Sequence, residues 1–473
     1  MMESKVPETW EKTTFGQVSE ARMGKTILSK ELTEEGLPVF SAATENEVWG
    51  YTSDESVFFE RGTIIISARG TIGAAKIPRF ERFVSTQTTI AATPATELDT
   101  KYVAFQLSCV DWTKYTSTTA IPMLTISALS KLPIILAPIN EQRRIVEKIE
   151  TLFARLDKGE EALRDVQKLL ARYRQSVLKA AVTGQLTADW RAENAHRLEH
   201  GRDLLARILQ TRRETWDGRG KYQEPAAPET TELPELPKGW VWASVEQLAN
   251  VMGGVTKNKK RQEMPLRKPM LRVANVYQNR LELEDIHQTS ITEAESARVL
   301  LEELDLLVVE GNGSKDQIGR MAVWRNEIPD AVHQNHLIKV RMIEKGLVEF
   351  ALWWFQSPNG RQNIEKVASS TSGLYTLSIS KIEALVVPVP SLSEIDEINE
   401  LVDEAFSKIS HLEIWCQTEL ARSTALRQSI LKDAFAGRLV PQDPADEPAA
   451  ALLARIKETH AAAAGRTRRR IRT

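Results

Sequence analysis

The stretch SVLKAAVTGQL at residues 176–186 recurs as SILKDAFAGRL at residues 429–439, with six of eleven residues identical. The similarity extends upstream of both stretches. Aligning residues 124–186 on residues 377–439 needs no gap and yields 17 identities in 63 positions, at a constant offset of 253 residues. The chain is therefore an internal duplication, and its fold has to be interpreted as two related halves.

The beginning of each half carries a second mark of the duplication. Pro7 and Trp10 in VPETWEKTTFGQV match Pro237 and Trp240 in LPKGWVWASVEQL, at an offset of 230 residues. Because the ends of the halves are offset by 253 residues, the second half has gained a net 23 residues in its middle. Each half thus consists of a variable block followed by a constant stretch.

The constant stretches have the heptad spacing of a coiled coil, with apolar residues at alternating steps of three and four. Neither contains proline, and each is expected to form a helix of about 40 residues, ~60 Å long at 1.5 Å per residue. Gly184 and Gly437 mark the predicted helix ends. The two stripes can be buried best against each other, and the candidate interface residues are Ile145, Ile149, Leu156, Leu163, Leu170, Val177, Ile398, Val402, Ile409, Leu412, Leu426 and Ile430.

The variable blocks contain short aliphatic runs that end in glycine-rich turns, as in TIIISARGTIG (63–73) and DLLVVEGNGSKDQIGR (305–320). Strand-like runs closed by proline, LPIILAP (132–138) and ALVVPVP (384–390), precede the two long helices. These patterns predict an α+β fold with more strand than helix in the blocks.

Composition narrows the class of protein. The 473 residues suggest about three structural units, and 42% hydrophobic with 27% charged residues is typical of a globular chain. No apolar run is long enough for a membrane span and MMESKVPETWEKTT has no apolar signal region, so we expect a cytoplasmic protein without membrane contact. Cys109 and Cys416 cannot form a disulfide framework or a four-ligand zinc site.

The sequence lacks the motifs of several classes of enzyme and metal site. MGKT (23–26) lacks the glycine that a P-loop needs, because Ser19 stands at that position. The histidine pairs 333/336 and 196/200 have no accompanying carboxylate or cysteine signature, so no metal site is predicted. No methyltransferase catalytic loop is found either. We therefore expect no catalytic residue, bound cofactor or metal in this chain.

Basic residues beside the turns are the candidates for contact with phosphates or base edges. The run KNKKRQEMPLRK (257–268) has six basic residues, and basic residues also stand at the matching place of the first half. A solvated loop remains as good an interpretation for any single residue, and the net charge of −2 does not itself indicate a nucleic acid. The candidates are Arg22, Lys25, Lys30, Arg69, Thr71, Lys257, Lys259, Lys260, Arg261, Lys315 and Arg320.

The helix starts APINEQRRIVEKI (137–149) and VPSLSEIDEINEL (389–401), with the helix ends RQSVLKAAVTGQLT (174–187) and RQSILKDAFAGRLV (427–440), carry a family resemblance. Together with the two variable blocks they resemble the DNA-specificity subunit of type I restriction–modification systems. The resemblance covers nearly the whole chain. The second helix start departs from the first at Glu394-Ile395, where the first has Glu141-Gln142.

The resemblance implies a non-catalytic reader and scaffold. Each variable block would be a target-recognition domain for one half of a split, asymmetric site in double-stranded DNA, and the antiparallel helices would space the domains. Two methyltransferase subunits bringing S-adenosylmethionine, and two motor/nuclease subunits using ATP and Mg²⁺, would join it. The implied segments are recognition domains 1–140 and 236–392, spacer helices 141–187 and 393–440, a linker 188–235 and a tail 441–473.

A different class of protein remains open on the residues alone. A coiled-coil adaptor that joins two β-rich protein-binding modules, without nucleic acid, suits the nearly neutral charge. DNA binding by the chain, or its absence, separates the two hypotheses.

Overall fold

The computed structural model describes residues 6–42, 46–116, 122–216, 220–256, 258, 261, 263–315, 317–371 and 373–470, except the side chains of 370, 371 and 463–470. The chain divides into two compact units. Unit 1 comprises Met1–Arg164 together with Cys416–Thr473, and unit 2 comprises Asp165–Trp415. This division differs from the linear segments expected from the sequence, which remain a prediction.

The first half of the chain is rich in short strands and ends in one long helix. The strands are β1 (Glu11–Thr14), β2 (Ser19–Met23), β3 (Leu37–Phe40), β4 (Gly50–Thr52), β5 (Phe59–Glu60), β6 (Ile64–Ser67), β7 (Ala75–Lys76), β8 (Arg82–Ser85), β9 (Thr89–Pro94) and β10 (Pro133–Leu136). The helices are α1 (Phe15–Val18), α2 (Thr100–Leu107), α3 (Ile126–Ser130), α4 (Ile139–Val182), α5 (Ala188–Asn194) and α6 (Gly201–Glu214).

The second half repeats this order with additional strands. The strands are β11 (Val241–Ser244), β12 (Ala249–Gly253), β13 (Leu266–Leu271), β14 (Val276–Tyr277), β15 (Arg280–Leu281), β16 (His287–Ile291), β17 (Leu306–Val309), β18 (Gly311–Asn312), β19 (Met321–Val323), β20 (Val332–His333), β21 (Leu337–Met342), β22 (Ser369–Thr371), β23 (Leu374–Thr376) and β24 (Val386–Val389). The helices are α7 (Val245–Leu248), α8 (Glu293–Val299), α9 (Val348–Gln356), α10 (Pro358–Val367), α11 (Ile379–Glu383), α12 (Leu392–Ala434) and α13 (Ala449–Arg470).

Each unit contains a four-stranded sheet with the same topology. The order is β2-β9-β6-β7 in unit 1 and β12-β21-β17-β19 in unit 2. The central strands β6 and β17 are buried along their whole length, which explains why they are aliphatic without alternation. Beside these sheets, β3 pairs in parallel with β8, and β13 pairs in parallel with β20. The predicted α+β class, two β-rich domains with two long helices packed together, is confirmed.

The antiparallel pairing of α4 and α12 is visible in each unit separately. In unit 1, Arg427 donates a hydrogen bond of 3.0 Å to Glu160, and its guanidinium lies 5.0 Å from the centroid of the Phe153 ring. In unit 2, Arg174 lies 3.5 Å from Glu413, and its guanidinium is 4.5 Å from the Phe406 ring centroid. Each residue of the first set differs from its counterpart by 253 positions, so the duplication is reproduced in three dimensions.

The seam between the helices follows the predicted heptads on α4 more closely than on α12. The α4 residues 145, 149, 170 and 177 are buried, as are 398, 402, 409 and 430 on α12, whereas Leu156 and Leu163 are half-buried. Leu412 and Leu426 are exposed, at 46% and 47%. At these two places the residue that follows, Glu413 or Arg427, contacts the other helix instead, because it forms an ion pair with a residue of α4.

A tryptophan holds the end of one long helix to the start of the other in each unit. Trp10 Nε1 donates to the buried carboxylate of Glu141 at 2.9 Å, and Trp240 Nε1 donates to the buried Glu394 at 2.9 Å. Burial raises the pKa of Glu141 above its ordinary value. Glu141 and Glu394 are the equivalent residues at the two helix starts. The residue that follows differs, Gln142 in the first and Ile395 in the second, but the contact between tryptophan and glutamate is the same in both units.

A short repeat follows each long helix, and sequence inspection missed it. The pentapeptide LLARI occurs at 204–208 in α6 and again at 452–456 in α13. In unit 2, Leu204 and Ile208 are buried in the main core, whereas in unit 1 Leu452 and Ile456 are buried in the core around α1 and β6. The segment that follows each long helix therefore forms part of a domain core, which explains why the C-terminal segment belongs to unit 1.

Candidate nucleic-acid interface

In unit 1, the ends of several strands meet at one edge of the sheets around a β-turn formed by residues 86–89. We call it the crossing turn of unit 1. It is closed by a hydrogen bond of 2.9 Å from Thr89 N to Thr86 O. Its backbone is joined to the ends of three strands through Thr86 N to Phe40 O (2.9 Å), Gln87 N to Lys25 O (2.8 Å) and Ala68 N to Thr88 O (2.9 Å).

Unit 2 has the same arrangement around residues 334–337, the crossing turn of unit 2. Leu337 N donates to Gln334 O at 2.9 Å and closes the turn. The three connections are Gln334 N to Leu271 O (2.9 Å), Asn335 N to Val255 O (3.0 Å) and Glu310 N to His336 O (3.0 Å). The two turns therefore share one backbone framework, and residues 86, 87 and 88 are equivalent to 334, 335 and 336.

A glycine allows the close approach of chains at each crossing turn. A Cβ atom on Gly24 would lie 2.1 Å from the carbonyl oxygen of Thr86, and one on Gly254 would lie 2.1 Å from that of His333. These separations are far below van der Waals contact, so any side chain would push the turn away. The position of both turns thus depends on glycine at an equivalent place.

The side chains on this common framework differ between the units. Unit 1 presents Gln87, which is exposed and accepts a hydrogen bond of 2.8 Å from Thr26 Oγ1. Unit 2 presents Asn335 and His336, whose Nδ1 lies 3.0 Å from the Glu310 carboxylate. One scaffold with two sets of polar groups can contact two different ligand surfaces.

The predicted basic residues of unit 1 lie partly at this edge. Lys25 contributes its carbonyl to the crossing turn, and its ammonium contacts Asp54 and Ser56, which holds the pKa of Asp54 well below its usual range. Arg69 is exposed just beyond β6, and Thr71 donates to Ala42 O at 3.1 Å. The remaining two candidates are Arg22 on β2, 3.7 Å from Glu20, and the exposed Lys30 in a 3₁₀ turn.

The predicted basic residues of unit 2 have structural partners. Arg261 makes two hydrogen bonds to the Glu295 carboxylate, at 2.9 and 3.1 Å. Arg320 donates to a backbone carbonyl, that of Val273, at 3.0 Å. Lys315 lies 3.3 Å from Glu365. Lys257, Lys259 and Lys260 lie outside the described residues.

Sequence inspection missed the crossing turns themselves. The signal was present as a short polar run between two strands, STQTT at 85–89 and HQNH at 333–336. Basic loops drew attention because positive charge suggests phosphate contact, whereas neutral amides and hydroxyls attract no notice in a charge-based search. Among the described residues, no group of three or more His, Cys, Asp or Glu could hold a metal ion.

Comparisons with known proteins identify relatives of this chain. A model of the type I restriction modification DNA specificity domain matches residues 7–164, and the specificity subunit of the type I restriction enzyme EcoDI from Escherichia coli is 24% identical over 98% of both chains. The chain is therefore similar to the specificity subunits of type I restriction–modification systems. Specificity subunits of these systems are non-catalytic.

Other relatives of this chain include the specificity subunit of EcoKI from Escherichia coli strain K12, 28% identical over 70% of this chain and 64% of the relative, and that of StySPI from Salmonella potsdam, 28% identical over 69% and 63%. The alignments thus span slightly less than two thirds of those two relatives. Among solved structures, the subunit from Thermoanaerobacter tengcongensis has a TM-score of 0.51, 16% identity, and coverage of 93% of this chain and 99% of that one.

A chain from a structure of a type I system, described for its assembly and conformational transition, has a TM-score of 0.64 at 15% identity. The match covers 92% of this chain and 100% of that chain. These likenesses support the fold. None of the described helices is both long and apolar enough to cross a membrane.

A buried histidine beneath the crossing turn predicts a pH-dependent stability of unit 2. The pKa of His333 is lowered from 6.5 to about 4, mainly by burial and also by nearby Lys339, while the Leu337 carbonyl, 2.7 Å from Nδ1, opposes the shift. Between pH 6.5 and 4, His333 is therefore protonated in the unfolded chain but remains neutral in the folded unit. We expect unit 2 to lose up to about 3 kcal/mol of stability as the pH falls through this window.

Urea denaturation at pH 7 and pH 4.5 measures this loss. The variant His333→Asn should lose part of the pH dependence, whereas His196→Gln, at an exposed histidine of the same unit, should retain it. Identical pH slopes for the wild type and His333→Asn would contradict the assignment.

Proposed function

We propose that this chain is the sequence-specific DNA-recognition and scaffold subunit of a type I restriction–modification complex. Its two β-rich domains would read the two halves of a bipartite site in double-stranded DNA. The observation that carries this proposal is the pair of crossing turns, which have one backbone framework and different polar side chains. A duplicated framework of this kind suits two contacts of the same type with two different sequences.

The difference between the side chains makes the proposed target asymmetric. Thr88 of unit 1 is half-buried and corresponds to the exposed His336 of unit 2, so the groups offered to a groove differ in size and hydrogen bonding. Two identical half-sites would not satisfy both sets. The linear segments 1–140 and 236–392 are the proposed target-recognition domains, with 188–235 as the linker and 441–473 as the tail.

The long helices, within the segments 141–187 and 393–440, are the proposed spacer and docking site. Their buried seam residues already pack inside the chain, so a partner must use the exposed ones. In unit 2, Leu169, Tyr173, Leu412 and Trp415 are exposed on α4 and α12, at 59%, 55%, 46% and 52%. Apolar side chains exposed on packed helices suit a protein partner, and we assign this surface to a methyltransferase subunit.

The remaining partners follow from the same proposal. Two methyltransferase subunits would supply S-adenosylmethionine for adenine methylation, and two motor/nuclease subunits would use ATP and Mg²⁺. The chain itself would bind none of these cofactors and would carry no catalytic residue. Its contribution would be the choice of the DNA site and the assembly of the complex.

Mapping of methylated adenines tests the proposal. The 473-residue chain is expressed with a methyltransferase subunit of a type I system, in a host that lacks both. We expect methylation within a bipartite, asymmetric motif that disappears when the gene for this chain is omitted. Methylation without such a motif, or methylation that persists without this chain, would refute the proposal. A coiled-coil adaptor would further predict no specific shift of duplex DNA in a gel.

A further inference from the structure

The equivalence of the crossing turns places a carboxamide at the same position in both units. Gln87 and Asn335 are each the second residue of the turn, and each donates its backbone N–H to the chain that follows the first strand of the sheet, at 2.8 Å to Lys25 O and 3.0 Å to Val255 O. The residues on either side differ in chemical type between the units. A side-chain amide is thus retained where the neighbouring groups have changed.

The backbone around each carboxamide is held from several sides. In each unit three hydrogen bonds connect the turn to strand ends, and a glycine, Gly24 or Gly254, packs against its carbonyl oxygens without room for a Cβ. Such support fixes the Cα–Cβ direction of Gln87 and Asn335. A side chain that distinguishes bases needs this kind of fixed origin, since small displacements remove a two-point contact.

The surrounding contacts leave each amide at the surface. Gln87 is exposed and accepts its hydrogen bond from Thr26 at Oε1, where the carbonyl oxygen has a second lone pair. Asn335 is half-buried, with Nδ2 at 3.5 Å from Nε2 of His336. Arg261 and Arg320, the basic side chains that the sequence favoured in unit 2, are instead bound to Glu295 and to the Val273 carbonyl.

A carboxamide has one chemical preference among the bases. Its oxygen accepts from the N6 amino group of adenine while its amino group donates to N7, and both adenine atoms face the major groove. No other base offers that donor and acceptor pair in the same order. Two equivalent carboxamides therefore suit one adenine contact in each half of a split site.

We propose that Gln87 and Asn335 are the equivalent adenine-reading residues of the two domains. Gln87 would contact one adenine in the half-site of unit 1, and Asn335 one adenine in the half-site of unit 2, each through two hydrogen bonds in the major groove. This assignment rests on the proposed DNA-recognition function and goes beyond it, since it states which side chains discriminate and which base each one selects.

Base-by-base profiling of methylation tests the assignment. The full-length chain, with its methyltransferase subunit, is given a library of duplexes randomised one position at a time across the wild-type motif. In Gln87→Ala we expect the preference for adenine at one position of one half-site to fall by roughly tenfold to a hundredfold. In Asn335→Ala the same loss should appear at one position of the other half-site only.

Charge-bearing isosteres and a distant amide provide the controls. Gln87→Glu and Asn335→Asp keep the size of the side chain but cannot donate to N7, so they should relax the same positions, even if the alanine variants fold poorly. Gln210→Ala, at an exposed amide on α6, should leave every position unchanged. Circular dichroism melts verify that each variant is folded.

The outcomes are distinct. A wild-type complex without a bipartite motif would overturn the proposed function and this assignment with it. A wild-type motif whose adenine preferences survive in the Glu and Asp variants would overturn the assignment alone. Relaxation at a guanine, cytosine or thymine position, or an equal loss at both half-sites from one variant, would also overturn it.

Discussion

Removing one heptad from each long helix is expected to shorten the preferred gap between the two half-sites by about three base pairs. The removed residues are 162–168 of α4 and 415–421 of α12, which are related by the 253-residue offset. Seven residues span about 10 Å of helix, and one turn of duplex occupies about 34 Å in 10 base pairs. Because seven residues make nearly two full turns of an α-helix, the deletion changes the orientation of the proposed domains about the helix axes very little.

The double deletion is designed to preserve the contacts that pair the helices. Arg174 with Glu413 and Arg427 with Glu160 lie outside the removed segments and can form again in the same antiparallel register. The single deletion of 162–168 alone is the control, because it leaves seven unmatched residues on α12. Methylation profiling on duplexes with gaps of every length measures the result. An unchanged gap in the double deletion would contradict the spacer role.

Replacing Trp240 by alanine is expected to lower the free energy of unfolding of unit 2 by about 3–5 kcal/mol. The indole is 5% exposed, lies edge-on to the Phe350 ring at 5.7 Å and donates to the buried Glu394 carboxylate. The substitution therefore leaves a cavity and removes one of the donors that compensate a buried charge. We expect the joint between α12 and the start of the second domain to open first.

Hydrogen exchange resolves this effect by unit. Peptides from β17 should lose protection in Trp240→Ala, whereas peptides from β6 should lose protection in the equivalent variant Trp10→Ala. Trp240→Phe retains most of the apolar contact but removes the donor, and we expect a loss of about 1–3 kcal/mol. Unaltered protection of β17 in Trp240→Ala would show that the joint does not stabilise unit 2.

Much of the architecture follows from patterns that are local along the chain. The duplication could be counted directly, and the heptads predicted two long helices whose buried positions include Ile149 and Val402. The aliphatic runs at β6 and β17 predicted strands that end in glycine-rich turns. The helix-end glycines Gly184 and Gly437 both have positive φ, 69° and 73°, as expected where a helix stops.

Other features depended on residues that are distant in sequence. Leu412 and Leu426 are exposed, and the next residues, Glu413 and Arg427, contact the other helix in their place because they have charged partners there. The partners of Arg261 and Arg320 depend on folding in the same way, since Glu295 and Val273 lie beside them only in the folded chain. A charge count along the chain contains no information about which charges are already paired.

Sequence periodicity and self-similarity are sufficient to establish two halves, their strands and the long helices that follow them, because these properties can be read in order along one chain. The crossing turns could not be assembled in that way. Each arises where a parallel strand pair, an antiparallel sheet and a glycine from three separate stretches converge, and only that convergence makes Gln87 and Asn335 equivalent. Hydrogen bonds between strands far apart in the chain create the site, so only the folded molecule reveals it.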